Sequence, residues 1–292
     1  MIKYIKRKDI DINKYDACIE NSIQSRVYAY SWYLDIVADN WDVLVLNDYE
    51  AVMPIPWKQK YFIKYITQPY FCQQLNVYSE EDLKNEVFRD FFNHIPKHFF
   101  LIDINLGFKI DIYVTKKQNF TLSLGADYAS IYQNYRKDRK KSLRKAAQGN
   151  LKFVDFDTKE TLINLYKNVF NFLDMSEKYF NTINKVMEYC LTNGKGFIRN
   201  IFLNEELLCS GFFLKYNNKI YYLFAASSKN GKQYGATTYL LDSVIKEYSE
   251  TNYILDLEGS SIPSIANFYK SFGSDLNHYY NYKSNVVKRI FL

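Results

Sequence analysis

The pattern of apolar and polar positions along the chain predicts a mixed α/β protein. Predicted helices place apolar residues three and four positions apart, and predicted strands are short β-branched or aromatic runs between turn residues. After a short first strand, helices are predicted at 13–22, 30–38, 80–94 (with Ser79 as its cap), 128–148, 159–172, 177–191, 236–249 and 262–271. Strands are predicted at 41–46, 51–57, 62–67, 71–78, 99–104, 109–114, 151–156, 196–203, 207–216, 219–226 and 253–257, with one or two more in 276–292.

Two predicted hairpins suggest an internal duplication. The turns Leu46-Asn47-Asp48 and Leu203-Asn204-Glu205 each join two apolar strands, and each follows a pair of predicted helices. A boundary near Gly125 divides the chain into halves of ordinary domain size. We therefore predict two similar mixed-sheet domains, residues 1–125 and 126–292.

Charge is concentrated in one segment. The 292-residue chain is 48% hydrophobic and carries 38 basic and 32 acidic residues, a net charge of +6. Residues 136–145 (RKDRKKSLRK) hold seven basic residues and one acidic residue, and 7 − 1 = +6, so the rest of the chain is neutral. We expect no DNA partner.

The basic segment lies in a predicted helix. At 100° per residue its cations form adjacent rows, Arg136, Lys140 and Arg144 in one and Lys137, Lys141 and Lys145 in the other, opposite Leu143, Ala146 and Ala147. Such a face binds the phosphates of a tRNA, a nucleotide or a lipid headgroup, or it is simply a solvated surface. We take Arg136, Lys140, Lys141 and Arg144 as the candidate phosphate-binding residues.

A candidate anion site follows the strand at 221–226. A Gly-containing loop at 227–236 leads into a helix from Thr237 onward, and it carries Lys229 and Lys232. Helix N-termini present unpaired N–H groups that attract anions. The alternative is a flexible surface loop in which Thr237 only caps the helix.

A candidate acid–base pair follows the strand at 253–257. Asp256 and Glu258, at positions i and i+2 of a strand, are expected to point to the same side at its carboxyl end. The alternative is an acidic pair that caps the next helix or lies on the surface.

Several classes of protein are not supported. The apolar runs are shorter than the ~20 residues of a membrane span, and the basic N-terminus lacks the apolar core of a secretory signal. Four dispersed cysteines and three histidines argue against a metal site, and no Gly-x-Ser-x-Gly elbow occurs. Free thiols in the cytoplasm are the expectation.

Four segments of the second half, YYLFAASS, KQYGATTYLLDSVIKEY, YILDLEGS and IPSIANFYKSFG, together resemble the GNAT acyltransferase superfamily. The resemblance is to its Fem-type branch, the peptidoglycan aminoacyltransferases and their relatives, which have two GNAT-like domains. Ala51-Val-Met-Pro-Ile-Pro56, Gln68-Pro69 and Gln73-Gln74-Leu75 resemble the first domain of that group. The basic run after Tyr135 resembles the helix that opens the second domain.

The resemblance implies roles for individual residues. Lys232-x-x-Gly235-x-Thr237 matches the loop that binds the pyrophosphate of coenzyme A, and the donor-binding residues would be Lys229, Lys232, Gly235, Ala236 and Thr237. Ala266-Asn-Phe-Tyr269 matches the pattern whose Tyr protonates the leaving thiolate. Fem-type enzymes tend to place a Lys directly after the Phe, where this chain has Tyr269 and then Lys270.

These observations predict an N-acyltransferase. Glu258 or Asp256 would accept the proton of the amine, N–H groups near Ala225 and Ala226 would polarise the carbonyl, and Tyr269 would assist the leaving group.

The donor would be an acyl-CoA co-substrate or an aminoacyl-tRNA, with no tightly bound cofactor. The acceptor would be an amine on a small or lipid-linked cell-envelope precursor or a saccharide, which allows peripheral contact with a membrane surface. The first domain would serve as scaffold and acceptor wall. The alternatives are a CoA-dependent acetyltransferase of a small amine and a non-catalytic binding protein.

Overall fold

A computed structural model describes residues 1–109, 114–155, 158–259 and 262–285, and it shows the predicted mixed α/β architecture. The helices are Ile12–Asn21 (α1), Ser31–Val37 (α2), Asn85–Asn93 (α3), Tyr128–Gln133 (α4), Lys137–Gln148 (α5), Lys159–Val169 (α6), Glu177–Thr192 (α7), Lys229–Tyr234 (α8), Ala236–Tyr248 (α9) and Pro263–Lys270 (α10). The strands are Ile2–Lys6 (β1), Asn40–Leu46 (β2), Ala51–Lys60 (β3), Ile63–Thr67 (β4), Tyr78–Ser79 (β5), Phe99–Leu106 (β6), Thr115–Ser123 (β7), Lys152–Val154 (β8), Gly196–Leu203 (β9), Glu206–Tyr216 (β10), Lys219–Ser227 (β11), Ile254–Asp256 (β12) and Asp275–Asn285 (β13).

The chain forms two compact units. The first comprises Met1–Lys117 and the described part of His278–Leu292, and the second comprises Gln118–Asn277. In the first unit the strand order is β1-β2-β3-β4-β6-β13, with β4 and β6 parallel and β5 paired to β3. Its core is built from apolar residues of the strands together with α3, which buries Phe88, Phe91 and Phe92.

In the second unit the strand order is β8-β9-β10-β11-β12-β7, and β11 and β12 form the parallel pair. Helix α9 packs on one face of this sheet, where Leu240 lies against Gly211 of β10. Helices α6 and α7 cover the other face, where Cys190 and Phe212 meet at Gly196. Burial of apolar surface on both faces is what the near-continuous apolar sequence of β10 requires.

The two units repeat one topology. In each unit the parallel pair is formed by the fourth and fifth strands of the order. The turn between β2 and β3 and the turn between β9 and β10 each place an Asn, Asn47 and Asn204 respectively, in the left-handed region. The sixth strand of the first unit is β13, and that of the second is β7. The units therefore divide after Lys117, whereas the sequence pattern placed the boundary at 125. No local pattern assigns residues 278–285 to the first unit.

Some predicted elements differ from the structure. Helix α3 begins at Asn85, because Ser79 pairs in β5 and donates its hydroxyl to the carbonyl of Glu50. Most of the predicted strand at 71–78 is irregular, and the predicted helix at 128–148 is interrupted between α4 and α5. Part of the predicted strands at 109–114, 151–156 and 276–292 lies outside the described residues.

Candidate active site

The parallel strands of the second unit separate partway along β11. The two strands pair from Lys219 to Tyr221, opposite Ile254 to Asp256. Beyond that point β11 continues to Ser227 along β10, whereas the segment after β12 follows β7, since Leu257 donates to the carbonyl of Phe120 at 2.9 Å. In the described residues, the second half of β11, which contains Ala225 and Ala226, thus has a backbone edge that β12 does not cover.

The corresponding place in the first unit is filled by the chain itself. After β4, the segment from Gln68 to Asn76 runs along β6, with Leu75 donating to Asn105 at 2.9 Å and Gly107 donating to Leu75 at 3.1 Å. Amide side chains support this segment, since Asn76 accepts from the N–H of Gly107 at 2.8 Å. Only the second unit therefore offers an uncovered edge at this position, within the part of the chain described.

Asp256 and Glu258 lie at the separation, but they do not project side by side as predicted. Strand β12 ends at Asp256, and Glu258 has a φ of 61°, so the alternation of a strand stops there. Asp256 is buried and its carboxylate accepts the backbone N–H of Glu258 at 3.0 Å. Asp256 thus holds the left-handed turn that presents the partly exposed Glu258, and Glu258 is the better candidate base.

Tyr269 of α10 lies near enough to Glu258 for the charge of that carboxylate to act on its hydroxyl. Burial, followed by the negative charge of Glu258, raises the pKa of the Tyr269 hydroxyl above its ordinary value. The hydroxyl therefore stays protonated at neutral pH, as a proton donor to a leaving group must. Tyr222 of β11, whose pKa is raised by burial and then by Cys209 and Tyr269, adjoins it and was not identified from the sequence.

The predicted loop at 227–236 is partly helical. Ser228 caps α8 by accepting the N–H of Gly231 at 3.0 Å, and Gly235 separates α8 from α9. Lys229 and Lys232 are exposed, and no ion pair to another described residue engages them. They line a pocket of about 490 Å³ together with Leu165, Asn168, Val169 and Ser228, directly after the end of β11.

The side chains of Ala236 and Thr237 do not face this pocket in the way the resemblance implies. Ala236 is completely buried, and the Thr237 hydroxyl lies 3.7 Å from the Cys209 thiol. What these residues can offer a ligand is the backbone N–H groups of the first turn of α9, which have no acceptor within the helix.

Gly235 is required by its conformation and by its surroundings. Its φ is 73°, and a Cβ atom there would lie 2.6 Å from Ser142 Oγ. We expect Gly235→Ala to lower the free energy of unfolding by about 2–3 kcal/mol, because backbone strain and steric overlap add. Gly194→Ala is the matched control in urea unfolding: its φ is 64° and no atom of the described residues lies within 4 Å of the added one, so it should cost about 1 kcal/mol. Equal losses in the two variants would contradict the proposed contact with α5.

The basic helix α5 uses its cations in two ways. Arg139, which the sequence pattern did not single out, points inward: it donates to Ser271 at 2.8 Å and to the Thr238 hydroxyl, and it lies 4.4 Å above Phe268. It thereby joins α5 to the first turn of α9 and to the end of α10, which carries Tyr269.

The four predicted phosphate-binding residues are not equivalent. Arg136 precedes α5 and pairs with Asp138 at 2.8 Å, and Lys140 donates to the carbonyl of Gln133 at 2.9 Å. Lys141 and Arg144 are exposed and form no ion pair with any described residue. As predicted, Leu143 and Ala146 are buried, whereas Ala147 is exposed. The face available to an anion therefore centres on Lys141 and Arg144, flanked by Lys137 and Lys145.

Within the described ranges, no helix has the length and apolarity needed to cross a membrane. No group of three or more His, Cys, Asp or Glu side chains among these residues is placed to hold a metal ion. The four cysteines all lie within the described ranges, and none of them forms a disulfide there.

Two units that repeat one topology, with a parallel strand pair at the fourth and fifth positions of each, match tandem GNAT folds among the solved structures. FemX matches with a TM-score of 0.68 at 11% identity, over 99% of both chains. A conserved protein of unknown function from Bacteroides thetaiotaomicron matches with a TM-score of 0.61 at 11% identity, over 96% of this chain and 99% of that one. A tandem GNAT protein from the clavulanic acid biosynthesis pathway matches with a TM-score of 0.54 at 10% identity, over 97% of this chain and 98% of that one.

The predicted resemblance to Fem-type, two-domain GNAT proteins is thus confirmed at the level of the fold. No family model and no curated protein sequence matches the chain.

Proposed function

We propose that the protein is an N-acyltransferase whose donor binds in the second unit. The observation that carries the proposal is the uncovered edge of β11, which begins where β12 diverges just before Glu258 and ends next to Ser228 in the pocket lined by Lys229 and Lys232. An extended donor can pair with such an edge through its amide groups, as peptides do when they add a strand to a sheet. The basic pocket and the N-terminus of α9 would then receive its phosphates.

The reaction assigns one task to each part of this site. Glu258 accepts a proton from the acceptor amine, whose nitrogen attacks the acyl carbon. Backbone N–H groups of β11 near Ala225 and Ala226 stabilise the negative charge that develops on the carbonyl oxygen. The bond to the leaving group then breaks, and Tyr269 supplies the proton that the departing atom takes up. Asp256 holds the turn of Glu258 and does not react.

Two donors fit the charges of the second unit. The pocket at Lys229 and Lys232 suits the pyrophosphate of an acyl-CoA, and the face at Lys141 and Arg144 suits the longer phosphate backbone of an aminoacyl-tRNA. Both donors occur in the cytoplasm, where we place the reaction. For the acceptor we propose an amine on a cell-envelope precursor or saccharide, following the resemblance to Fem-type proteins. A small free amine is the alternative.

A transfer assay tests this function. Purified protein is incubated with labelled acetyl-CoA or with charged tRNA and a panel of amines comprising an amino sugar, lysine and a lysine-containing peptide. Formation of an N-acylated product with either donor supports the proposal and identifies the donor. Binding of a donor without transfer to any amine would favour the non-catalytic alternative. Binding that weakens steeply with added salt and is abolished by charge reversal at Lys140, Lys141 and Arg144 would assign the donor to the basic face of α5.

A further inference from the structure

The hairpin that joins β3 to β4 in the first unit ends in an exposed apolar tip. Tyr61 and Phe62 form a two-residue turn between the paired residues Lys60 and Ile63. Tyr61 is 83% exposed, Phe62 is 96% exposed and Ile63 is 48% exposed. We call Tyr61–Ile63 the hairpin tip.

The sequence of this turn is unfavourable for the hairpin alone. Tyr61 has a φ of 54°, a conformation that favours glycine at the first position of a two-residue turn. The turn is maintained because Gln59 donates its side-chain amide to the carbonyl of Tyr61 at 2.9 Å. Two bulky aromatic residues in water, one of them in a strained backbone conformation, have no evident function in the folding of the first unit.

Apolar exposure continues on the adjoining strand. Strand β6 runs parallel to β4, and its register shifts between the pairs Lys64–Phe99 and Tyr65–Leu101, so Phe100 is an extra residue. Phe100 and Leu101 are each about half exposed. The hairpin tip and the start of β6 thus present apolar side chains at the same end of the sheet.

Lysines surround the base of the tip. Lys58, Lys60 and Lys64 lie within the stretch 58–65, which contains no acidic residue. Lys58 pairs with Asp39 at 3.3 Å, so the cations that remain for a ligand are Lys60 and Lys64. Lys60 precedes the turn by one residue and Lys64 follows it by two, which places them about 3–7 Å behind it at ~3.3 Å per residue. When an apolar segment enters the boundary of the acyl chains, the lipid headgroups surround the residues just behind it. Lysines at this distance from the tip would therefore lie among the headgroups.

We propose that the hairpin tip inserts into the interface of a membrane containing anionic lipids, with Lys60 and Lys64 at its headgroups. A membrane fits better than a protein partner, because a narrow convex tip offers little area to a protein surface. The order of side chains, apolar at the end and cationic behind, is complementary in both polarity and charge to a negatively charged bilayer. This inference does not depend on the proposed function.

Co-sedimentation with vesicles tests the proposal. The full chain should bind vesicles of phosphatidylglycerol and phosphatidylcholine more tightly than vesicles of phosphatidylcholine alone. The variant Tyr61→Gly/Phe62→Ser should bind the anionic vesicles at least about tenfold more weakly, because it removes the apolar insertion. The Gly-Ser turn of this variant is more favourable for a two-residue hairpin than the natural Tyr61-Phe62 turn. A loss of binding can therefore not be assigned to misfolding.

Two further variants complete the design. Lys60→Gln/Lys64→Gln should weaken binding to the anionic vesicles about fivefold for each lysine and leave phosphatidylcholine binding unchanged. Phe172→Ser is the control: it removes a side chain of the other unit that is 73% exposed, and it should leave binding to both kinds of vesicle unchanged. The proposal is overturned if the natural chain does not bind anionic vesicles, or if the tip variant binds them as tightly as the natural chain does. It is also overturned if sedimentation velocity shows a dimer that the tip variant abolishes, which would assign the tip to a second copy.

Discussion

Glu258→Gln is expected to lower the rate of acyl transfer by about 10²- to 10⁴-fold, the usual contribution of a positioned general base. Gln keeps the size of the side chain and the backbone N–H that Asp256 accepts, so the left-handed turn at 258 should be retained. The loss should therefore appear in the rate, while donor affinity and the unfolding midpoint stay close to those of the natural chain.

Tyr269→Phe provides the companion measurement. It removes only the hydroxyl, and the ring can keep its contact with Phe120, whose centroid lies 6.2 Å away. We expect a smaller loss of rate that depends on the leaving group, since a thiolate needs a proton less than a ribose oxygen does. If both Glu258→Gln and Tyr269→Phe transferred the acyl group at the rate of the natural chain, the site assignment would be wrong.

Arg139→Ala is expected to lower the free energy of unfolding by about 2–4 kcal/mol. The Arg139 side chain is only 12% exposed, and its bonds to the hydroxyls of Thr238 and Ser271 involve a charged donor. Its stacking on Phe268 and Phe272 adds a smaller amount. The loss would be seen as a lower urea midpoint with an unchanged slope.

Lys141→Ala is the matched control, because it changes a cation two residues away on the exposed side of the same helix. We expect its effect to stay within about 0.5 kcal/mol. If Arg139→Ala and Lys141→Ala had equal effects on unfolding, Arg139 would not join α5 to α9 and α10 as described. A selective loss of donor binding in Lys141→Ala would instead support the role of the exposed face.

Local patterns predicted most helices and strands of this fold, since each depends on periodicity within a few residues. The hairpin 196–203/207–216 was placed to within one residue because apolar strands flank a polar turn there. Pairing between distant segments was not predictable in this way. The assignment of β13 to the first unit depends on contacts across almost the whole chain, and no local signal encodes it.

The candidate site was predictable in composition but not in geometry. Glu258 was expected to continue the alternation of a strand, and a left-handed turn held by a buried carboxylate redirects it instead. The inward orientation of Arg139 could have been predicted, because it lies on the same helical face as Leu143 and Ala146. The two rows of cations predicted around the helix did not include Arg139, so its inward position was missed.

Titration of acetyl-CoA against the natural chain and Lys232→Glu, at low and moderate salt, tests most directly whether the donor binds at the start of α9. Lys141→Glu serves as a control that introduces the same charge change on the other cationic surface. We expect saturable binding that Lys232→Glu abolishes and Lys141→Glu leaves within about twofold. Saturable binding that survives Lys232→Glu unchanged would contradict the placement of the donor beside β11.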